Sequence, residues 1–254
     1  MTELLRLDDV CMAFGGLQVT QHVSFTLHAG DRVALIGPNG AGKTTLVDLV
    51  TGRRRPTAGR ILLQGDDVTR QGIAHRVRSG LARTFQITRL FQALTVAENV
   101  ALPVMQRMGI ARRVFSSATE DPDVRAEWTA ILRLLGLEGR AYDPISRLAY
   151  GEQRLIEIAI ALALKPKVLL LDEPAAGVPH DEAHRVLEAI AALPQDMAIL
   201  MIEHDMDLVF RFARRVLVLA NGKLIFEGSP DEVTRDQDVR SAYLGSYADA
   251  GRAA

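Results

Sequence analysis

Gly37-Pro38-Asn39-Gly40-Ala41-Gly42-Lys43-Thr44 reads G-x-x-x-x-G-K-T, the pattern of a loop that cradles the phosphates of a nucleoside triphosphate. An apolar run, Val33-Ala34-Leu35-Ile36, leads into it as a buried strand, and Thr45-Leu46-Val47-Asp48-Leu49-Val50 follows as the start of a helix. That strand–loop–helix context gives the pattern its mechanism. Glycines let successive backbone N–H groups approach phosphate oxygens with no Cβ in the way. The positive end of the helix faces the same anion. Lys43 supplies a point charge for the outer phosphates, and the Thr44 hydroxyl is a hard oxygen suited to Mg2+.

Outward from the loop, the chain of 254 residues fits one large domain or a core with an inserted lobe. With 30 basic and 31 acidic residues it offers no electrostatic argument for nucleic acid. The one basic cluster, Arg53-Arg54-Arg55, reads as a solvated turn before Pro56. A single cysteine, Cys11, excludes an internal disulfide and fits a reducing compartment. Charged residues interrupt the first thirty positions, so no signal peptide is expected, and no apolar run is long enough to span a membrane.

Residues 4–27 alternate apolar and polar around Gly15-Gly16, which predicts antiparallel strands. Further strands are predicted at 60–63, 168–171 and 198–202. A hairpin is predicted at 216–226, with Asn221-Gly222 as its two-residue turn. Helices are predicted at 73–79, 152–164, 181–192 and 206–213. In 85–148 helical periodicity replaces strand patterning: Val124, Trp128, Ile131, Leu132 and Leu135 share a face and stop at Gly136. Residues 105–123 are small, polar and Pro-containing, and predict a mobile loop. The expected architecture is an α/β core with a mostly parallel sheet, over residues 1–86 and 150–245. It carries an antiparallel β subdomain and a helical subdomain inserted at 87–149, and a disordered tail at 246–254.

Chemistry is also expected at Leu169-Leu170-Leu171-Asp172-Glu173, an apolar strand ending in two acids. Asp172 would reach the Mg2+ shell, and Glu173 would polarise an attacking water. His204 follows the strand 198–202, at the end where open α/β sheets bind ligands, and is placed to donate to the terminal phosphate. His180-Asp181-Glu182-Ala183-His184 has two histidines at i, i+4, but Asp181 follows the first where the metalloprotease pattern has Glu. The stretch reads as a helix surface.

Together these residues resemble the nucleotide-binding subunit of ABC transporters, over nearly the whole chain. GPNGAGKTT (Gly37, Pro38, Asn39, Gly40, Ala41, Gly42, Lys43, Thr44, Thr45) looks like the Walker A loop, VLLLDEP like Walker B with the catalytic acid, and LAYGEQ like the signature. Gln86 in Arg83-Thr84-Phe85-Gln86 looks like the Q-loop glutamine that also meets the metal, His204 like the switch histidine, and Phe14 like the aromatic that stacks on adenine. RTFQITRLF, LDEPAAG, IEHDMDLV and Ala242-Tyr243-Leu244-Gly245 narrow the likeness to the ATPases of branched-chain amino-acid importers. Urea, amide and lipopolysaccharide-export ATPases are similar.

The resemblance implies a Mg2+-dependent ATPase of the P-loop NTPase fold, peripheral to the cytoplasmic face of the cell membrane. Two ATP-binding subunits, copies or paralogues, would close head to tail around ATP, the phosphate loop of one facing Ala149, Tyr150, Gly151 and Glu152 of the other. Two membrane-spanning permease subunits would be moved by that closure, with a solute-binding protein acting indirectly. A soluble, non-transport ABC ATPase is the alternative class. The groove at residues 86–91 is expected to receive a short helix of the permease, on the strength of apolar Leu90 and Phe91. The sequence departs from the family at Ala149 (usually Ser), Tyr150 (Gly), Glu152 (Gln) and Pro179 (Asp), which puts the contacts across the dimer in question.

Overall fold

The computed structural model describes residues 2–84, 90–110 and 119–242. The chain forms two compact units. The first is built from Met1–Leu81, Lys167–Leu171 and the chain from Gln195 onward, the second from Ala82–Pro166 and Asp172–Pro194.

In the first unit, β1 (Glu3–Phe14) pairs antiparallel with β2 (Leu17–His28) and with β4 (Ala58–Leu63), and β4 pairs with the short β5 (Asp66–Asp67). The second sheet runs β10-β9-β3-β8-β7-β6, made of β3 (Arg32–Ile36), β6 (Leu81–Arg83), β7 (Val168–Asp172), β8 (Ala198–Ile202), β9 (Arg215–Ala220) and β10 (Lys223–Gly228). β3 is parallel to β8 and β9. Its apolar residues Val33–Ile36 are all buried, as befits a covered parallel sheet, and Arg32 at its start is buried with them. β9 and β10 form the antiparallel hairpin, and Asn221 and Gly222 take the positive φ values of 48° and 75° that a primed two-residue turn requires.

Helix α1 (Lys43–Thr51) follows the phosphate loop, and α2 (Ile73–Arg78) supplies its cap. The Arg76 guanidinium is fully buried. It donates to Leu49 O and Val50 O at 2.7 Å each, to Val68 O at 2.7 Å, Gln71 O at 3.1 Å and Thr69 O at 3.3 Å. A cation at the carbonyl end of α1 complements the helix dipole. Burial pulls the Arg76 pKa down to about 10, so the group stays charged at neutral pH. Helices α7 (Met206–Phe212) and α8 (Pro230–Val233) complete this unit.

The second unit holds α3 (Val96–Arg107), α4 (Pro122–Leu134), α5 (Tyr150–Leu162) and α6 (His180–Ala191). The predicted mobile loop at 105–123 is corrected at both ends, since α3 runs through Arg107 and α4 begins at Pro122. Pro103 sits inside α3. A capping box fixes its start: Thr95 Oγ1 accepts from Glu98 N at 3.2 Å, and Glu98 accepts from Thr95 N at 2.7 Å. Trp128 is core as expected, with its indole N–H on Thr119 O. The expected tail, 246–254, lies outside the described residues. Among the described residues no helix is long and apolar enough to cross a membrane.

Arg76→Met should lower the thermal unfolding midpoint by several degrees. It strips buried carbonyls of donors, each loss costing about 1–3 kcal/mol. An unchanged midpoint would show that the guanidinium does not hold α1.

Candidate phosphate-binding and catalytic residues

In the first unit β3 delivers the chain to Gly37, where a Cβ would strike the Leu219 carbonyl oxygen. Gly42, the N-cap of α1, sits at φ 102°, and a Cβ there would lie 2.6 Å from Val19 O. Only glycine satisfies both constraints. α1 has no side-chain cap and no acid in its first turn, so its positive end suits an anion. Lys43 Nζ donates to Gly37 O at 2.5 Å and Pro38 O at 3.0 Å, which keeps the ammonium over the loop. The hairpin tip braces it, with Gly222 N donating to Ala41 O at 3.1 Å. The Thr44 side chain is at the exposed start of α1.

Phe14 is 40% exposed, and the Arg54 guanidinium lies 4.8 Å from its ring centroid. The basic run read as a solvated turn therefore does more than meet water. Arg53 and Arg54 both face Asp48, and Arg54 covers the predicted adenine platform. His204 follows β8 with its side chain 68% exposed. The preceding Glu203 is buried, and its carboxylate accepts from His204 N at 3.0 Å and Asp205 N at 3.4 Å. Asp205 caps α7 through Asp207 N. Glu203 thus holds the turn that presents His204, a role its position beside the histidine signals only weakly.

In the second unit Asp172 closes β7 as a nearly buried carboxylate, paired with Arg83 Nη2 at 2.6 Å, and its own N–H donates to Thr84 Oγ1 at 3.4 Å. Arg83 was visible in the R-T-F-Q stretch but carried no assigned role. Glu173 adopts φ 47°, a left-handed conformation that costs a non-glycine residue of order 1 kcal/mol. Its carbonyl accepts from Ala176 N in the turn that follows. Thr44 and Asp172 each carry a hard oxygen of the kind Mg2+ takes, one in each unit. Gln86 lies outside the described residues, so the metal and catalytic roles read for it have no geometry here.

The signature stretch opens α5. Glu152 reaches back to Ala149 N at 3.1 Å, half of a capping box whose other half, a hydroxyl at 149, is missing. Arg140 Nε lies 3.2 Å from Glu152. Gly151 N donates to Glu182 Oε2 of α6 at 3.0 Å. Arg154 pairs with buried Glu157 at 2.7 Å and sits over the Tyr150 ring, which fixes the tyrosine that replaces a glycine. Leu90, expected at a docking groove, is buried, and Phe91 alone of the pair is exposed. Asn99 holds Phe91 there through both its N–H and its carbonyl.

Residues 20–176 match the family described as ABC transporter, and residues 223–249 match that of the branched-chain amino acid ATP-binding cassette transporter. The chain belongs to the ABC transporter family. It is 39% identical to the high-affinity branched-chain amino acid transport ATP-binding protein LivG of Escherichia coli K12, over 95% of this chain and 98% of that protein. It is 35% identical to BraF of Pseudomonas aeruginosa, with the same coverage. Among solved structures, an ATP-binding cassette of an ABC transporter in its ADP conformation superposes with a TM-score of 0.85 at 28% identity, covering 96% of this chain and all of that one. A nucleotide-free cassette gives 0.82, also at 28% identity, over 95% and 98%. The P-loop α/β fold expected from the sequence is therefore that of an ABC cassette.

Glu203→Leu should leave the cassette folded by circular dichroism and cut ATP turnover about tenfold or more, because small displacements of a phosphate-facing group are costly. Unchanged turnover would deny the carboxylate its role in holding His204.

Proposed function

We propose that this chain is the ATP-hydrolysing subunit of an importer that takes up branched-chain amino acids, acting at the cytoplasmic face of the membrane. The observation that carries the ATPase reading is the uncapped, acid-free N-terminus of α1 behind a glycine loop with Lys43 folded over it. The cargo reading is supported by LivG and BraF, whose names specify branched-chain amino acid transport, and by the matching C-terminal segment.

In this reading residues 37–45 hold the triphosphate and Phe14, with Arg54 beside it, stacks on the base. Thr44, Asp172 and Gln86 would hold Mg2+, which would supply positive charge against the phosphates. Glu173 orients the attacking water, and His204 and Lys43 donate to the charge that develops on the transferring phosphoryl group. Residues 149–152 of a second copy, or of a paralogue, face the terminal phosphate. Two permease subunits follow the closure and reopening of the pair, with exposed Phe91 the contact toward them, and a solute-binding protein delivers the cargo.

Glu173→Gln should bind ATP and elute as a dimer only in its presence, with turnover falling at least about a hundredfold. Near-normal hydrolysis would overturn the role of Glu173. In cells lacking the native chain, uptake of labelled leucine, isoleucine and valine should be lost. It should return with the wild-type chain and not with Glu173→Gln. Undiminished uptake would overturn the cargo.

A further inference from the structure

The phosphate-facing end of α5 is already occupied by a carboxylate of the same chain. Gly151 is the second residue of the helix, with no intrahelical acceptor for its N–H, and it gives that N–H to Glu182 Oε2 at 3.0 Å. The glycine admits this contact. A Cβ at position 151 would lie 2.5 Å from the same oxygen and 3.2 Å from Glu182 Cβ. Gly151, Glu152, Leu155, Glu182, Arg185 and Val186 line a gap between α5 and α6 with room for about one water, about 10 Å³.

We propose that Glu182 is an intramolecular competitor for the signature end of α5, and that its departure sets how readily that end accepts the terminal phosphate of a partner-bound ATP. The inference rests on the reading that residues 149–152 meet ATP held by a second cassette. A backbone N–H serves one strong acceptor at a time, and a carboxylate and a phosphate of like charge repel across that distance. The incoming phosphate must therefore drive Glu182 off Gly151. Arg185 lies one turn along α6, lines the same small space and is exposed, so it offers the displaced carboxylate an i, i+3 partner. Glu182 stands on the helix that begins seven residues after Glu173, so its bond to Gly151 is one of the ties between α5 and the segment that carries the proposed catalytic acid. The second carboxylate at this helix end, Glu152, differs in being matched by Arg140 and held on Ala149 N–H.

The test uses the Glu173→Gln chain and reads the ATP concentration at half-maximal dimer formation by analytical ultracentrifugation. Adding Glu182→Gln, which keeps the size and an acceptor oxygen but removes the charge, should lower that concentration about tenfold, in line with a charge at a helix N-terminus. Glu182→Ala should do the same, and Glu182→Asp should restore the starting value. In the catalytically intact chain, Glu182→Gln should lower KM for ATP without raising kcat in proportion. A Gln variant that dimerises as the parent does, with an Ala variant that dimerises less well, would make Glu182 a structural peg and overturn the proposal. Failure of Glu173→Gln itself to dimerise with ATP would instead strike the paired-site reading beneath it. Thermal unfolding of each variant, expected within a few degrees of the parent, separates either result from misfolding.

Discussion

Helix α1 is polarised from both ends, and the phosphate loop depends on it. At its start Gly42 supplies no side chain and no acid lies in the first turn. At its finish a buried guanidinium takes the Leu49 and Val50 carbonyls. A helix built this way favours an anion at one end, because no first-turn carboxylate neutralises its positive end, while the opposite end is stabilised by a buried cation. Gly37 and Gly222 then let the loop and the hairpin tip approach neighbouring backbone, and main-chain contacts bring the tip against the cradle.

The start of α5 shows the opposite arrangement. Glu152 and Glu182 both reach backbone N–H groups there, and the hydroxyl that the family usually offers is a methyl at Ala149. The two helix ends thus differ: α1 starts with no side-chain cap and no first-turn acid, and at α5 the Gly151 N–H is already engaged by a carboxylate. The remaining carboxylates of the machinery are similarly held. Asp172 rests on Arg83, and Glu203 is spent on the turn that carries His204. Only Glu173 is marked by its backbone, in a left-handed conformation that only a firmly held turn sustains.

Much of this was legible in the sequence for local reasons. Continuous apolar runs gave away β3, β7 and β8, and Asn221-Gly222 announced its hairpin. The G-x-x-x-x-G-K-T spacing places a helix terminus at a strand end without any long-range information. What escaped the reading depends on contacts far apart in the chain. Arg76 meets a carbonyl 27 positions away, Gly151 meets Glu182 across 31, and Arg83 meets Asp172 across 89. No periodicity encodes such pairs. The helical reading of 87–149 gives α3 no bounds of its own, although the Thr95–Glu98 capping box is a local mark of its start. Leu90 and Phe91 looked alike as adjacent apolar residues, yet only one of them is exposed, because adjacent residues point to different sides.

The central claim is that each ATP site takes its phosphate loop from one copy and its signature from another. The direct measurement is ATP hydrolysis by a mixture of two inactive variants, Lys43→Ala and Gly151→Asp, each shown to be folded. In a mixed pair one site keeps both an intact loop and an intact signature, so the account predicts that the mixture regains a substantial fraction of wild-type turnover while neither variant alone hydrolyses ATP. A mixture as inactive as its components would contradict it, since that is the behaviour of a site completed within a single chain.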